Sequence, residues 1–219
     1  MTRMSEALFS LLLGVALGVA QGCAPQLDTP ADKPFGGGGG APEGTIVHED
    51  PGDGTTITRV DASDSTVWVY LNLSSKEEIV PDSPDTSADW DMGFQRSNVK
   101  INGGVSGSGN VEIAALTGQE FGSLSQAPDT GYITDEPDTP VDQGGDENDK
   151  PDYAFDTGDS RWWDYNPANH VLTPRDITYV LHSVDGHYYK LEILSYYNDA
   201  GASGYLSFRW QEIADPSNT

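Results

Sequence analysis

Beyond its first 22 residues the chain has no window of a dozen residues with good helical periodicity, and this constrains the fold more than any other feature. From Thr55 onward apolar residues recur with a period of two, and Gly, Asn, Asp and Ser punctuate the runs. Val67–Leu73 is a compact β-rich run. Asp89–Gln95 alternates and sends Trp90, Met92 and Phe94 to one face. Ser97–Ile101 continues or bends this strand, and Asn102-Gly103-Gly104 turns the chain. Near the C-terminus Ile177–Val184 and His187–Tyr197 flank Asp185-Gly186, which reads as a two-residue hairpin turn. That turn sets Val184 opposite His187, His182 opposite Tyr189 and Val180 opposite Leu191. Gly204–Ile213 supplies a last strand. The predicted fold is all-β, an antiparallel β-sandwich of about eight or nine strands.

Charge narrows the function. With 35 Asp and Glu against 11 Lys and Arg, the net charge is −24, which repels a phosphate backbone and excludes nucleic-acid binding by counterion release. The same balance argues against a basic patch on an anionic membrane. One Cys allows neither an intramolecular disulfide framework nor a thiolate-rich metal site. Ten Tyr, six Phe and five Trp are enough to build a core although only 36% of the chain is hydrophobic.

The lone cysteine has a place of its own. Arg3 precedes an apolar run from Ala7 to Ala20, too short for a membrane-spanning helix, so residues 1–22 read as an export signal. Val19-Ala20-Gln21-Gly22-Cys23 resembles the lipobox of bacterial lipoproteins. That resemblance implies cleavage before Cys23 and acylation of it, hence membrane attachment through a lipid. Ala24, not Asp, follows the Cys, which points to an outer-membrane and surface-exposed location in the cell envelope. Residues 23–54, with five consecutive glycines at 36–40, read as a flexible tether in which His48 is solvated. The β domain then occupies 55–219.

Within it, residues 129–159 form an acidic insert with eleven Asp or Glu and one Lys. It reads as a solvated loop, with a weaker indication of a calcium ion, because no Asp-x-Asp-x-Asp-Gly spacing is present. Gly107-Ser108-Gly109 lacks the strand–turn–helix setting of a nucleophile, so no enzyme is expected. Four residues are candidate ligands. In the expected hairpin register His182 and His187 share a face and project side by side. His170 sits in the loop Asn166–His170, and Met92 shares the core face of Trp90 and Phe94.

Three ordered segments together resemble the HmuY-type family of exported haem-binding lipoproteins. They are Trp90-Asp91-Met92-Gly93-Phe94-Gln95-Arg96 leading to Asn102-Gly103-Gly104-Val105-Ser106-Gly107, then Trp162-Trp163-Asp164-Tyr165-Asn166-Pro167 with Asp185-Gly186-His187-Tyr188-Tyr189-Lys190-Leu191, and Ser195-Tyr196-Tyr197 with Gly204–Trp210. The resemblance implies an all-β fold, haem as ligand, iron acquisition and delivery to an outer-membrane receptor. In the family the iron is held by a His or Met pair lying between the Asn-Gly-Gly turn and the Trp-rich motif. Here residues 104–169 contain no His, Met or Cys, and Tyr132 and Tyr153 are offered instead. The alternative is a non-catalytic structural or adhesive surface module that has lost haem ligation and presents aromatics such as Trp162 or Tyr165 to a glycan or protein.

Overall fold

The computed structural model describes residues 45–138 and 150–217. The signal, Cys23, most of the expected tether and the middle of the acidic insert lie outside them. The described residues form thirteen strands: β1 (Ile46–Glu49), β2 (Thr56–Asp61), β3 (Val69–Asn72), β4 (Glu77–Ile79), β5 (Met92–Gln95), β6 (Asn98–Ile101), β7 (Glu112–Thr117), β8 (Tyr132–Ile133), β9 (Trp163–Asn166), β10 (Val171–Pro174), β11 (Ile177–His182), β12 (Tyr188–Tyr197) and β13 (Ser203–Ile213). They make a seven-stranded sheet ordered β1-β2-β13-β12-β11-β7-β8, a four-stranded sheet ordered β4-β3-β5-β6, and a separate β9–β10 ribbon. Every paired strand is antiparallel. The expected all-β sandwich is thus observed. Its surplus over eight or nine strands is mainly short edge pieces such as β4 and β8, whose runs are too brief to show a period.

Alternation builds the core. Along β13 Gly204, Leu206, Phe208 and Trp210 are buried while the residues between them are half-exposed. Phe208 stacks on Phe94 of the facing sheet with centroids 5.7 Å apart, and Leu71, Met92, Ile101, Tyr179 and Leu191 fill in around them. The short sheet departs from alternation. Trp90, Asp91, Met92 and Phe94 are all fully buried, because both faces of this strand are covered.

Four expectations change. First, the fold begins before residue 55: β1 lies inside the expected tether and pairs with β2 in register His48↔Thr58. His48 is half-buried there, its Nδ1 2.8 Å from Thr58 Oγ1, and burial holds its pKa below the usual imidazole value.

Second, the C-terminal hairpin closes one residue differently. The observed pairs are His182↔Tyr188, Leu181↔Tyr189 and Val180↔Lys190. The Ser183 N–H donates to the His187 carbonyl at 2.9 Å, so the loop is the three residues Val184-Asp185-Gly186, with Gly186 left-handed at φ +79°. This is the three-residue hairpin whose last residue takes positive φ, not the two-residue turn. The Val184 N–H is drawn out of the ladder by the Asp91 carboxylate, 2.8 Å away.

Third, Ser97–Ile101 neither continues nor bends the preceding strand. A two-residue turn, Arg96-Ser97, folds β6 back on β5 as a hairpin.

Fourth, the flanks of the acidic insert are built into the fold instead of solvated. Asp135 is fully buried and accepts from the Ile101 and Ala154 N–H groups at 3.0 and 2.7 Å. Ala154 and Phe155 lie in the core. Among the described residues no three His, Cys, Asp or Glu converge as a metal site would require, so the described part of the insert supplies no calcium cage.

Candidate ligand-binding site

The sequence-predicted ligands do not meet. Because a one-residue register slip turns a side chain to the other face, His182 and His187 point to opposite faces of the hairpin. His182 stacks on Tyr188 at 4.5 Å, with Nδ1 3.4 Å from Glu112 Oε1. His187 Nδ1 lies 2.8 Å from Glu212 Oε1. Met92 is 1% exposed in the core, opposite Ile101 and Leu71. Tyr132 sits at the far edge of the large sheet beside Tyr188, and burial raises its pKa. Trp162, offered above as an exposed aromatic, is 1% exposed and donates its indole N–H to the Ser97 carbonyl at 3.1 Å.

The motifs that carry the family resemblance are largely scaffold. Asn102 is fully buried; its amide donates to the Ser87 and Trp90 carbonyls at 2.8 and 2.9 Å and accepts from the Gly109 N–H at 3.0 Å. Gly104 has φ +61°, and a Cβ there would stand 1.9 Å from the Asp135 carbonyl oxygen. Asp91 takes the Leu73 and Val184 N–H groups on its two oxygens, each at 2.8 Å. These residues lock the turns of the short sheet to the hairpin and leave no polar atom for a ligand.

What the structure does assemble lies around the Trp-rich segment. A cleft of about 180 Å³ is lined by Ser97, Asn98, Lys150, Asp152, Tyr153, Arg161 and Trp163, with Asp156 at its wall. Arg161 lies over the Trp163 ring, 4.9 Å from its centroid, and its Nε donates to the Trp163 carbonyl at 3.2 Å. Neither Lys150 nor Arg161 has an ion-pair partner among the described residues, whereas Arg59 and Arg209 are paired with Glu49 and Glu192. Asp156 accepts from the Val99 N–H at 3.2 Å, and burial pushes its pKa up to about 8. Its carboxyl is therefore neutralised more readily than a free one, while Asp152 on the same lining sets one carboxylate against the two cations.

Lys150 and Arg161 thus come together, beside Asp152, on a chain of net charge −24. At about 180 Å³ the cleft is smaller than the roughly 300–1,000 Å³ of pockets that enclose small ligands, so it suits the anionic edge of a larger flat molecule. A broader hollow of about 550 Å³ over Lys190 and Ile213 is less suited, because Lys190 Nζ is already spent on the Phe121 and Leu124 carbonyls at 2.9 and 2.8 Å.

From Trp163 the β9–β10 ribbon carries the same face outward. Register Tyr165↔Leu172 and Trp163↔Pro174 puts Trp163, Tyr165 and Leu172 on one side. Trp163 and Leu172 pack against the core, and the Leu172 N–H donates to Tyr197 Oη at 2.9 Å. Tyr165 is 48% exposed and its hydroxyl hydrogen-bonds His170 Nδ1. His170, a candidate on sequence, thus meets Tyr165, which is not among the sequence-predicted ligands. The signal lay in the spacing: two residues flanking a Pro-containing loop meet across it.

The family described as HmuY protein matches residues 64–210, and no curated protein sequence matches the chain. Among solved structures the chain is similar to a candidate lipoprotein of Bacteroides fragilis (25% identity, TM-score 0.52, 76% of this chain and 95% of that one). It is also similar to a candidate HmuY-like heme-binding protein of Bacteroides vulgatus (18%, 0.53, 76% and 96%). A third is the apo HmuY analog of Tannerella forsythia (16%, 0.55, 77% and 96%). The last two likenesses speak to fold alone.

Proposed function

The chain belongs to the HmuY family, and from that premise we propose that it is a non-catalytic lipoprotein of the cell envelope, held by an acylated Cys23, that captures haem for iron acquisition and passes it to an outer-membrane receptor. The observation that carries the reading is that Lys150 and Arg161, with no ion-pair partner among the described residues, lie beside Trp163. An aromatic face next to fixed positive charge is what a flat, dicarboxylated ring system requires. Of the insert's carboxylates near the cleft, Asp135 is turned into the backbone and Asp156 is raised toward neutrality, which leaves Asp152 against the two cations.

The test is a haemin titration of the full chain, kept unacylated by Cys23→Ser. A saturable Soret shift with dissociation constant on the order of micromolar is expected, and Arg161→Glu weakens it about tenfold, or about 1.4 kcal/mol. Absence of any saturable change sinks the haem reading. That outcome would favour the second reading, a structural or adhesive module, which the exposed Tyr165 and the separation of His182, His187 and Met92 support.

A further inference from the structure

β1 is a four-residue strand at the edge of the large sheet, paired with β2 alone. Within it His48 stands opposite Thr58, and the hydrogen bonds there fix the state of the imidazole. The Trp210 indole N–H can only donate, and it donates to Thr58 Oγ1 at 2.8 Å. Thr58 Oγ1 also lies 2.8 Å from His48 Nδ1, and among the described residues it makes no third hydrogen bond. The Thr58 hydroxyl proton therefore goes to Nδ1, which has to be an unprotonated acceptor. That puts the ring proton on Nε2 and leaves the imidazole neutral. Nε2 itself is buried without a hydrogen-bond partner.

A second proton has no place in this arrangement. A protonated Nδ1 points an N–H at an oxygen that already accepts from Trp210, and the Thr58 hydroxyl proton is left unpaired at a fully buried residue. The new charge would also meet another cation. Lys76 Nζ donates to Thr56 Oγ1 at 3.1 Å and lies 5.3 Å from the Trp210 ring centroid, on the side of β2 that carries Thr58. Of the carboxylates on β1 and β4, Glu49 pairs with Arg59 at 2.7 Å on the other face of β1, Glu78 accepts from the Thr45 hydroxyl, and Glu77 is exposed. Burial disfavours the imidazolium most, the Lys76 backbone favours it, and the Lys76 ammonium disfavours it.

We infer that β1 is a proton-operated latch: with His48 neutral it closes on β2, and with His48 protonated it opens and leaves β2 as the edge of the sheet. The latch stands where the expected tether from Cys23 joins the domain, so opening returns residues 45–55 to that connection. It works whatever the cleft binds. The closed state holds fewer protons than the open one, in which the ring is in water with an ordinary value of about 6.5. Closure is therefore complete above that pH and is lost as pH falls below it. Buried Asp91 and Asp135, whose pKa values are raised to about 6, act in the opposite sense over the same interval, so the rest of the fold tightens while β1 loosens.

The experiment measures amide exchange on the full chain carrying Cys23→Ser, with and without His48→Gln, at pH 7 and pH 5 after correction for intrinsic rates. In wild type the protection of Ile46–Glu49 is expected to fall about tenfold from pH 7 to pH 5, while that of β12 and β13 does not fall. Gln keeps an acceptor for the Thr58 hydroxyl and cannot titrate, so in His48→Gln the protection of β1 is the same at both values. A proton NMR titration of wild type reads the imidazole directly and needs no variant: His48 is expected to be the last of His48, His170, His182 and His187 to protonate as pH falls. Unchanged β1 protection in wild type, an equal loss in His48→Gln, or a His48 that titrates at or above the ordinary value overturns the latch.

Discussion

Arg96 occupies a position that most sequences reserve for glycine. It is the first of two residues turning β5 into β6, with φ +54°, and a turn positive at its first central position ordinarily asks for Gly. What holds it is distant in sequence: its guanidinium donates to the Ser63 and Ser203 carbonyls at 3.1 and 3.2 Å and to Ser203 Oγ at 2.9 Å. Arg96→Ala is therefore expected to cost about 2–3 kcal/mol, losing the bonds but keeping the backbone strain. Arg96→Gly loses the same bonds and relieves the strain, so it should be about 1 kcal/mol milder in urea denaturation. A glycine variant as unstable as the alanine one would refute the account. No Gly or Asn marks this turn, so the sequence reads as one strand continuing or bending through Ser97. The information sits in Ser63 and Ser203.

The ribbon β9–β10 is a separate two-stranded piece, and a lone hairpin is marginal in water. Its attachment is Trp163 and Leu172 on the core plus the bond from the Leu172 N–H to Tyr197 Oη. Tyr197→Phe should accordingly raise amide exchange at Leu172 by about 1 kcal/mol of lost protection, while the global unfolding midpoint hardly moves. Equal loss across the large sheet would show the ribbon to be integral, not an appended unit. The strands with long alternation, β12 and β13, were legible because one face is buried and period two is then written into the residues. The hairpin between them and β11 was legible in place but not in register. Asp185-Gly186 marks a turn of either length, and the choice of three residues is made by the Asp91 carboxylate claiming the Val184 N–H. That single residue of register decides which face His187 takes, and so which candidate ligands can meet.

Across the molecule, buried carboxylates set the pH response. Burial raises the pKa of Asp91 and Asp135 to about 6, and of Asp156 to about 8, well above the ordinary carboxylate range. The folded state thus binds protons that the unfolded chain has released. The stability these groups contribute is complete below about pH 4 and is lost as pH rises to about 6 for Asp91 and Asp135, by about 2 kcal/mol for each, and on to about 8 for Asp156. Exposed Asp53, Asp64 and Asp215, lowered by Thr55, Thr66 and Ser217 hydroxyls, act the other way below about pH 4. The melting temperature should therefore peak near pH 4 and fall toward pH 8, with Asp135→Asn flattening the slope. A flat profile, or a maximum at pH 8, would contradict this.

By itself the sequence determined the all-β class, the family, the exclusion of nucleic acid and the place where the chain is most aromatic, because periodicity, turn residues and net charge are local or additive quantities. Only the tertiary structure decided that β1 joins the sheet, that His182 and His187 part, that the insert's flanks are buried, and that Lys150 and Arg161 come together beside Trp163. Those outcomes depend on pairings between residues far apart in the chain, whose register and burial no local pattern contains.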